Sequence, residues 1–321
     1  MTERLYYTDS YLTAFEARVV EAQPVASHYH LYLDRTAFYP SSGGQPFDTG
    51  RIGGIPVVEV LEPDERIAHV VETAVPPGVV ACQVDWTRRF DHMQQHSGQH
   101  LLSAVFQQLF GFATVSFHLG VETSTIDLSV PEVKPAQVEA VEVRANELVF
   151  ENREVTAGFY SAEQAAALGL RKPADREGSI RVVEIAGCDR SACGGTHVRV
   201  TGEIGPILMR RLDRVRQSAR VEFVCGGRAV RRARADYDVL ARVAQLFSAP
   251  LEQAPQLVAA QLEAAKTADR ARQKLEVELA VWHGRELYEK TPPDERGRRL
   301  YRAGERGPLE PWRLLAQNFV A

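Results

Sequence analysis

Residues 86–110 read WTRRFDHMQQHSGQHLLSAVFQQLF. Leu101, Leu102, Val105, Phe106, Leu109 and Phe110 recur at helical spacing, which predicts one long amphipathic helix. His92, His96 and His100 stand on the same helix. Residues four apart share a helix face, with Cβ atoms about 6 Å apart, so two of these imidazoles can grip one ion. Further along comes Cys193-Gly194-Gly195-Thr196-His197, where two glycines let a tight loop turn a thiol and an imidazole to one point. Either segment alone is a weak signal, since a lone HxxxH is more often two solvated or capped histidines. Together they offer His/His/Cys/His ligation, and nitrogen and sulfur donors in tetrahedral array favour zinc. The spacing leaves open which two helix histidines bind. Cys188 and His118 are further candidates, while Cys82 and Cys225 read as small core residues.

Working outward, residues 1–85 are β-rich, with short alternating runs separated by Gly and Pro turns. They predict a small barrel or sandwich. Within them lies Phe38-Tyr39-Pro40-Ser41-Ser42-Gly43-Gly44-Gln45-Pro46, a loop in which glycines let backbone approach another group closely. Its bland reading is a connecting turn. After the long helix come strand-like VSFHL and STIDLSV, then an amphipathic helix over Pro131–Val149. A strand near Val155, a short helix at Ala162–Leu168 and a strand at Ser179–Ile185 follow, and a loop carries Cys188 and Cys193. Strands at Ile204–Leu212 and Ala219–Val224 form a hairpin. The fold class is α+β: a small N-terminal β-barrel-like domain (1–85), a zinc-binding two-layer domain with an antiparallel sheet (86–225), then long helices (226–290). Gly226-Gly227 marks the break. Arg228–Phe247 reads as a basic helix and Leu251–Tyr288 as a longer packing helix, with Leu257, Leu275, Leu279 and Trp282 near one face. Residues 291–321 read as the start of a further small domain or as a tail.

The composition is that of an ordinary globular protein: 321 residues, 45% hydrophobic and 25% charged, enough chain for two or three modules. No apolar run approaches the ~20 residues of a membrane span, and the start lacks a signal-peptide pattern. Four scattered cysteines make no secreted disulfide scaffold, so the expected compartment is the reducing cytoplasm. Net charge is −4, distributed unevenly: +4 from Gly226 onward and −8 before it. Within the acidic part Arg210, Arg211, Arg214, Arg216 and Arg220 crowd one stretch opposed only by Asp213. They are the candidate contacts to an acidic partner, together with the basic helix Arg228–Arg242, although a solvated strand face reads equally well.

Three segments carry a resemblance to a known family. His96-Ser97-Gly98-Gln99-His100-Leu101-Leu102 and Cys193-Gly194-Gly195-Thr196-His197-Val198 are similar to the paired zinc motifs of the alanyl-tRNA synthetase editing domain. The segment Arg35-Thr36-Ala37-Phe38-Tyr39-Pro40-Ser41-Ser42-Gly43-Gly44-Gln45-Pro46 resembles that family's glycine-rich motif. The three stand in the family's order and cover about residues 1–225. The resemblance selects His96, His100, Cys193 and His197 as zinc ligands and leaves His92 outside. It implies that Gln45 and Thr36 approach the bound aminoacyl group. No aminoacylation domain precedes the glycine-rich motif, so the expectation is a freestanding editing protein acting in trans. In the longer members a glycine-rich C-terminal domain implicated in tRNA binding follows the long helix. This chain reaches Ala321 before any such glycine run, which leaves its mode of tRNA binding in question.

The implied reaction is hydrolysis of seryl-tRNA(Ala), or glycyl-tRNA(Ala), with alanine spared. A site that hydrogen-bonds a hydroxyl rejects its absence strongly, because its polar groups are left unpaired. Thr36 is the candidate for gauging that hydroxyl. The arginines of 210–220 are the candidates for acceptor-stem phosphates, and the C-terminal helices for a homodimer contact. Two other readings remain: editing of seryl-tRNA(Thr), and a zinc-stabilised tRNA-binding module without hydrolysis. The expected setting is cytoplasmic, with no membrane.

Overall fold

The structure, a computed structural model, describes residues 2–172, 178–302 and 309–319. The first strands in chain order are β1 (Glu3–Arg4), β2 (Ala14–Val25), β3 (His28–Leu33), β4 (Arg35–Thr36), β5 (Gly50–Ile52), β6 (Ile55–Leu61), β7 (Ala68–Val71) and β8 (Gly78–Val84). Six of them close into a barrel in the order β2-β3-β7-β6-β5-β8, and β1 with β4 forms a short parallel pair. Alternation sends Val19, Leu31, Leu33, Val57, Val71 and Val84 inward around Phe38 and Ile52. His69 is fully buried in this barrel, with Nδ1 3.1 Å from the Leu31 carbonyl and Nε2 2.8 Å from Thr36 Oγ1.

The long helix forms as its periodicity predicts: α1 spans Trp86–Phe110. Asp85 caps it by accepting from the Thr87 and Arg88 amides, and left-handed Gly111 ends it. There follow β9 (Thr114–Leu119), β10 (Ser124–Leu128), α2 (Pro135–Phe150), β11 (Val155–Tyr160), α3 (Ala162–Ala167), β12 (Ile180–Ile185), β13 (Asp189–Ala192), β14 (Ile207–Val215) and β15 (Ser218–Cys225). An antiparallel sheet runs β14-β15-β10-β9, and a second runs β11-β12-β13. Leu101, Leu102, Val105 and Phe106 of α1 and Val141, Ala145 and Leu148 of α2 share one core with Ile126, Leu128, Val221 and Phe223. A Cβ on Gly98 would lie 2.3 Å from Cys225 Sγ, so this glycine lets α1 lie close against β15.

Several features differ from the sequence reading. The segment between Cys188 and Cys193 is not wholly a loop: Asp189–Ala192 pairs antiparallel with β12 as β13. Its four residues, DRSA, carry no alternating pattern of their own, so tertiary pairing makes this strand. Helix α2 starts at Pro135 rather than Pro131, because proline suits the first helical turn and Gln137 accepts from the Lys134 amide just before it.

One ion pair ties barrel and helix together. Arg89 on α1 and Asp48, which follows the glycine-rich loop, both have fully buried side chains. Arg89 Nε lies 3.0 Å from Asp48 Oδ2, and its other nitrogens donate to the Ser10 and Ala37 carbonyls. Asp48 Oδ2 also accepts from the Tyr39 amide at 2.7 Å.

Contacts divide the chain into two units, Met1–Arg234 and Ala235–Ala321. Helix α4 (Gly226–Leu246) starts at the predicted Gly226-Gly227 break, where Gly226 has φ +56. In the second unit α5 (Ala254–Lys290) packs against α6 (Leu309–Phe319), with Gly284 closely against Asn318 and Tyr288 against Phe319. Residues 251–253, expected to open α5, form a 3-10 turn. Leu275, Leu279 and Trp282, expected to pack, are 63%, 54% and 69% exposed. The tail expected at 291–321 is described except for 303–308 and 320–321, which lie outside the described residues. Among the described residues no helix is long and apolar enough to cross a membrane.

Two outcomes follow from this packing. Removing one partner of a buried ion pair costs about 3–5 kcal/mol, so Asp48→Asn should lower the unfolding free energy by that order in urea titration; an unchanged midpoint contradicts the role. Burial holds His69 at about 4, below its ordinary 6.5, only partly offset by the Leu31 carbonyl. As pH falls below about 6.5 the unfolded chain binds this proton and the folded chain does not until about 4. Stability linked to His69 is thus complete above that window and about 3 kcal/mol smaller below it. In His69→Gln the pH dependence of the urea midpoint should flatten across this window; an identical slope in both proteins refutes the assignment.

Candidate metal centre

Helix α1 delivers His96 and His100, and the turn after β13 delivers Cys193 and His197. One donor atom from each of the four lies within 4.8 Å of all the others. Cys193 Sγ is 3.4 Å from His96 Nε2 and 3.3 Å from His197 Nε2. A tetrahedron with Zn–S of about 2.3 Å and Zn–N of about 2.0–2.1 Å has S···N edges of about 3.5 Å, so the set fits zinc. The three imidazoles are buried, and Cys193 is partly exposed.

Each imidazole is oriented from behind. His96 Nδ1 is 2.8 Å from Gln45 Oε1, His100 Nδ1 is 3.0 Å from Asp189 Oδ2, and His197 Nδ1 is 3.0 Å from Ser97 Oγ. The Gln45 and Asp189 oxygens can only accept, so His96 and His100 carry the proton on Nδ1 and present an Nε2 lone pair to the cluster. Asp189 is itself held by Arg171, with Nε 2.7 Å from Oδ1, and by Ser191 Oγ. Gln45 also accepts from the Thr196 amide at 3.2 Å and donates from Nε2 to Thr196 Oγ1 at 2.9 Å.

Close backbone approach makes this convergence possible. A Cβ on Gly195 would lie 2.2 Å from His96 Cε1, so the ring fits only against a glycine. Gly44, at φ +85, lies against β9, where a Cβ would meet the Phe117 carbonyl at 2.8 Å. The Leu119 amide donates to the Gly44 carbonyl at 3.1 Å, fixing the loop that carries Gln45. Arg181, only 8% exposed, donates from Nη1 to the Cys193 and Gly195 carbonyls at 2.8 and 3.0 Å, and from Nε to the Tyr7 carbonyl. It thereby holds both ends of the Gly194 turn.

The electrostatics favour a thiolate among imidazoles. Burial pushes the Cys193 thiol up, but His96, His197 and His100 together bring it well below its usual value. Burial lowers His100, yet Cys193 and Asp189 overcome it and raise the ring to about 9, so the Nε2 lone pair is offered to an ion only as the ion displaces a proton held beside the thiolate. His197 falls to about 3, mainly through burial.

The other residues singled out in the sequence go elsewhere. Thr36 is fully buried beside His69 in the barrel, and its Oγ1 accepts from the Phe38 amide at 3.1 Å. His92 and Cys188 are not in the four-donor group, and His118 is exposed on β9. Cys82 and Cys225 are buried core residues. All five arginines of 210–220 lie on the β14–β15 hairpin. Arg220 forms two hydrogen bonds to Asp127, at 2.6 and 2.8 Å, and Arg211 pairs with Asp213 at 2.8 Å. Arg210, Arg214 and Arg216 are exposed, with Arg216 in the turn at φ +58. In α4, Arg228 pairs with Asp91. Sequence reasoning missed Asp189, Ser97 and Arg181. Ser97 lies inside the His96–His100 segment and Asp189 next to Cys188, but only pairing in space gives them partners.

The family described as the second additional domain of threonyl and alanyl tRNA synthetases matches residues 180–220. The alanyl-tRNA editing protein Aarsd1 of Danio rerio is 34% identical over 248 residues, 72% of this chain and 60% of its own. The alanyl-tRNA editing protein AlaX-L of Pyrococcus horikoshii is 35% identical over 241 residues, 72% of this chain and 59% of its own. The alanine–tRNA ligase of Pyrococcus abyssi is 33% identical over 297 residues, 87% of this chain but 32% of the ligase. The chain thus spans about 60% of the length of the editing proteins it matches.

Outer partners of metal-bound histidines typically carry 10–100-fold of metal affinity. Loaded with zinc, Asp189→Asn should therefore give up the ion to a chromophoric chelator at least roughly tenfold more readily than the loaded parent, and Gly195→Ala more readily still, because its methyl displaces the His96 ring. Release at the parental rate from both folded variants contradicts this geometry.

Proposed function

We propose, from the chain's kinship with alanyl-tRNA editing proteins over 72% of its length, that it is a cytoplasmic trans-editing deacylase. Its substrate would be seryl-tRNA(Ala), or glycyl-tRNA(Ala), and its cofactor zinc held by His96, His100, Cys193 and His197. The observation that carries this reading is that Gln45 of the glycine-rich loop contacts both His96 and Thr196, which joins all three resembling segments in one site. When bound there, a zinc ion supplies Lewis-acid polarisation beside the ester.

The chain's own groups divide the work. Both ends of the Gln45 amide are engaged, on His96 and on Thr196, so Gln45 acts by positioning. The Leu31 carbonyl accepts from His69 Nδ1, which leaves His69 Nε2 to accept from the Thr36 hydroxyl. Thr36 Oγ1 also accepts from the Phe38 amide. One lone pair remains, and in this reading it gauges the hydroxyl of a seryl group. No serine or cysteine nucleophile with an adjacent base is invoked. The ester is cleaved by water placed beside the cluster. Arg210, Arg214 and Arg216, exposed on the hairpin, would meet acceptor-stem phosphates, since double-stranded RNA is gripped largely through phosphate and 2′-hydroxyl groups. Arg211 and Arg220, paired with Asp213 and Asp127, would exchange a carboxylate for a phosphate. Leu275, Leu279 and Trp282, exposed on α5, would form the contact of a homodimer.

The test is deacylation of seryl-, glycyl- and alanyl-tRNA(Ala) and of seryl-tRNA(Thr), with zinc content measured on the same protein. Serine should leave tRNA(Ala) while alanine is spared, and His100→Ala with Cys193→Ala should lose zinc and activity together. Thr36→Ala should reduce the serine-over-alanine preference at least roughly tenfold, the scale of one buried hydrogen bond left unmade. Faster hydrolysis of seryl-tRNA(Thr) would assign the threonyl-type reaction. One equivalent of zinc with no hydrolysis of any substrate would leave a binding module.

A further inference from the structure

Arg88, His92, His96 and His100 stand at four-residue intervals along α1, so each neighbours the next on the helix surface. His96 and His100 belong to the metal group; Arg88 and His92 do not. His92 is 3% exposed, and its Nδ1 has no hydrogen-bond partner among the described residues. Folded interiors rarely leave such an atom unpaired, and a bound group is one way to satisfy it. Arg88 is half-buried. It donates Nε to the Phe47 carbonyl at 2.9 Å and lays its guanidinium on the Phe47 ring, 5.1 Å from the centroid. Among the described residues its two terminal nitrogens meet no acceptor and no carboxylate.

The surroundings are electropositive. Burial lowers His92 to about 3, and Arg88, Arg228, Arg89 and His96 push it the same way. Two of these guanidiniums are compensated: Arg228 by Asp91, with Nε 2.9 and 3.0 Å from the carboxylate oxygens, and Arg89 by Asp48. The charge of Arg88 is left over. At 1.5 Å of rise per residue, His92 and Arg88 lie about 6 and 12 Å along the helix from His96. An aminoacyl ester at the four-donor cluster is the 3′ end of a nucleic acid strand. The next charged group along that strand is the phosphodiester entering the terminal nucleotide.

We propose that Arg88 and His92 form the subsite for this phosphodiester, a binding site on α1 distinct from the metal ligands and from the arginine hairpin. The inference rests on the deacylase reading and extends it. Arg88 supplies the charge, as a forked donor that matches phosphate oxygens. His92 supplies a hydrogen bond from a buried ring whose nitrogen is unpaired without it. The glycine-rich loop ending at Phe47 steers Arg88 into place.

The test compares two substrates with the full-length, zinc-loaded protein: seryl-tRNA(Ala), and 3′-O-seryl-adenosine, which has the ester but no phosphate. Arg88→Gln should raise KM for seryl-tRNA(Ala) roughly tenfold, the scale of one charge-assisted hydrogen bond, with kcat nearly unchanged. It should leave seryl-adenosine hydrolysis at the parental rate. The salt dependence of tRNA binding should become shallower by about 0.7 in log–log slope, one single-strand phosphate contact. Arg88→Lys should recover most of the loss, and His92→Gln should fall in the same direction on tRNA alone, with zinc content unchanged. Equal losses on both substrates, or no loss on either, overturn the subsite while leaving the deacylase reading standing. If the parent protein cleaves neither substrate, the deacylase reading falls and the subsite falls with it.

Discussion

The buried pair of Arg89 and Asp48 is the joint on which the first unit depends. Each ion alone would be strongly disfavoured in a dry interior, and their mutual attraction repays that only with near-complete hydrogen bonding. Here it is close to complete: the guanidinium serves Asp48 and two carbonyls, and the carboxylate also takes the Tyr39 amide. The consequence is geometric. Asp48 ends the glycine-rich segment and Arg89 lies on the helix that carries His96, so the pair sets how closely Gln45 approaches the His96 ring. Barrel and helix must dock correctly before the metal cluster has its full set of supporting partners.

The cluster is a record of the whole unit's assembly. Its imidazoles are oriented by a barrel loop through Gln45, by β13 through Asp189, and by α1 itself through Ser97. A donor set preassembled in this way loses less conformational entropy on metal binding than a floppy one. It also couples metal affinity to folding, because the unfolded chain has no such site. Glycine is required where the parts come closest. At Gly195 and Gly44 any side chain would occupy space already taken by the His96 ring or the Phe117 carbonyl.

Much of this was legible in the sequence, and the limits have physical causes. Helix α1 was legible because apolar residues recur at helical spacing from Leu101 to Phe110, and strand β15 because Ala219, Val221 and Phe223 alternate with polar residues. The four donors were legible as residue types at workable spacing, but separating His96 from His92 needed the family resemblance. Strand β13 was not legible, since Asp189–Ala192 is polar and short and is a strand only because β12 pairs with it. Asp189, Ser97 and Arg181 were invisible for a related reason. A second partner of a ligand has no fixed spacing along the chain and is defined only in space. The five arginines show how a patch of sequence divides in space. As sequence they form one patch, but Asp127, 93 residues from Arg220, takes one of them into a strand-to-strand ion pair. On α5 the residues read as a packing face include Leu275, Leu279 and Trp282, which among the described residues stay exposed.

The same bookkeeping of hydrogen bonds bears on how a deacylase of this design would spare alanine. A pocket that merely fits a hydroxymethyl group also admits a methyl group, and volume alone yields little discrimination. Discrimination grows when the pocket contains a buried polar atom that the correct substrate satisfies and the wrong one leaves bare. That atom must be otherwise nearly saturated, or it will turn to a neighbour or to water instead. Under the proposed reading Thr36 would be such an atom: its proton goes to His69, one lone pair takes the Phe38 amide, and a single acceptor site is left. His69 meets the matching condition, because burial keeps it neutral near pH 7 and the Leu31 carbonyl fixes its tautomer. An imidazolium there would reverse the Thr36 hydroxyl and turn an acceptor toward the wrong partner. The barrel histidine thus fixes the polarity of the Thr36 hydroxyl, and under the proposed reading the barrel that encloses it would contribute to specificity.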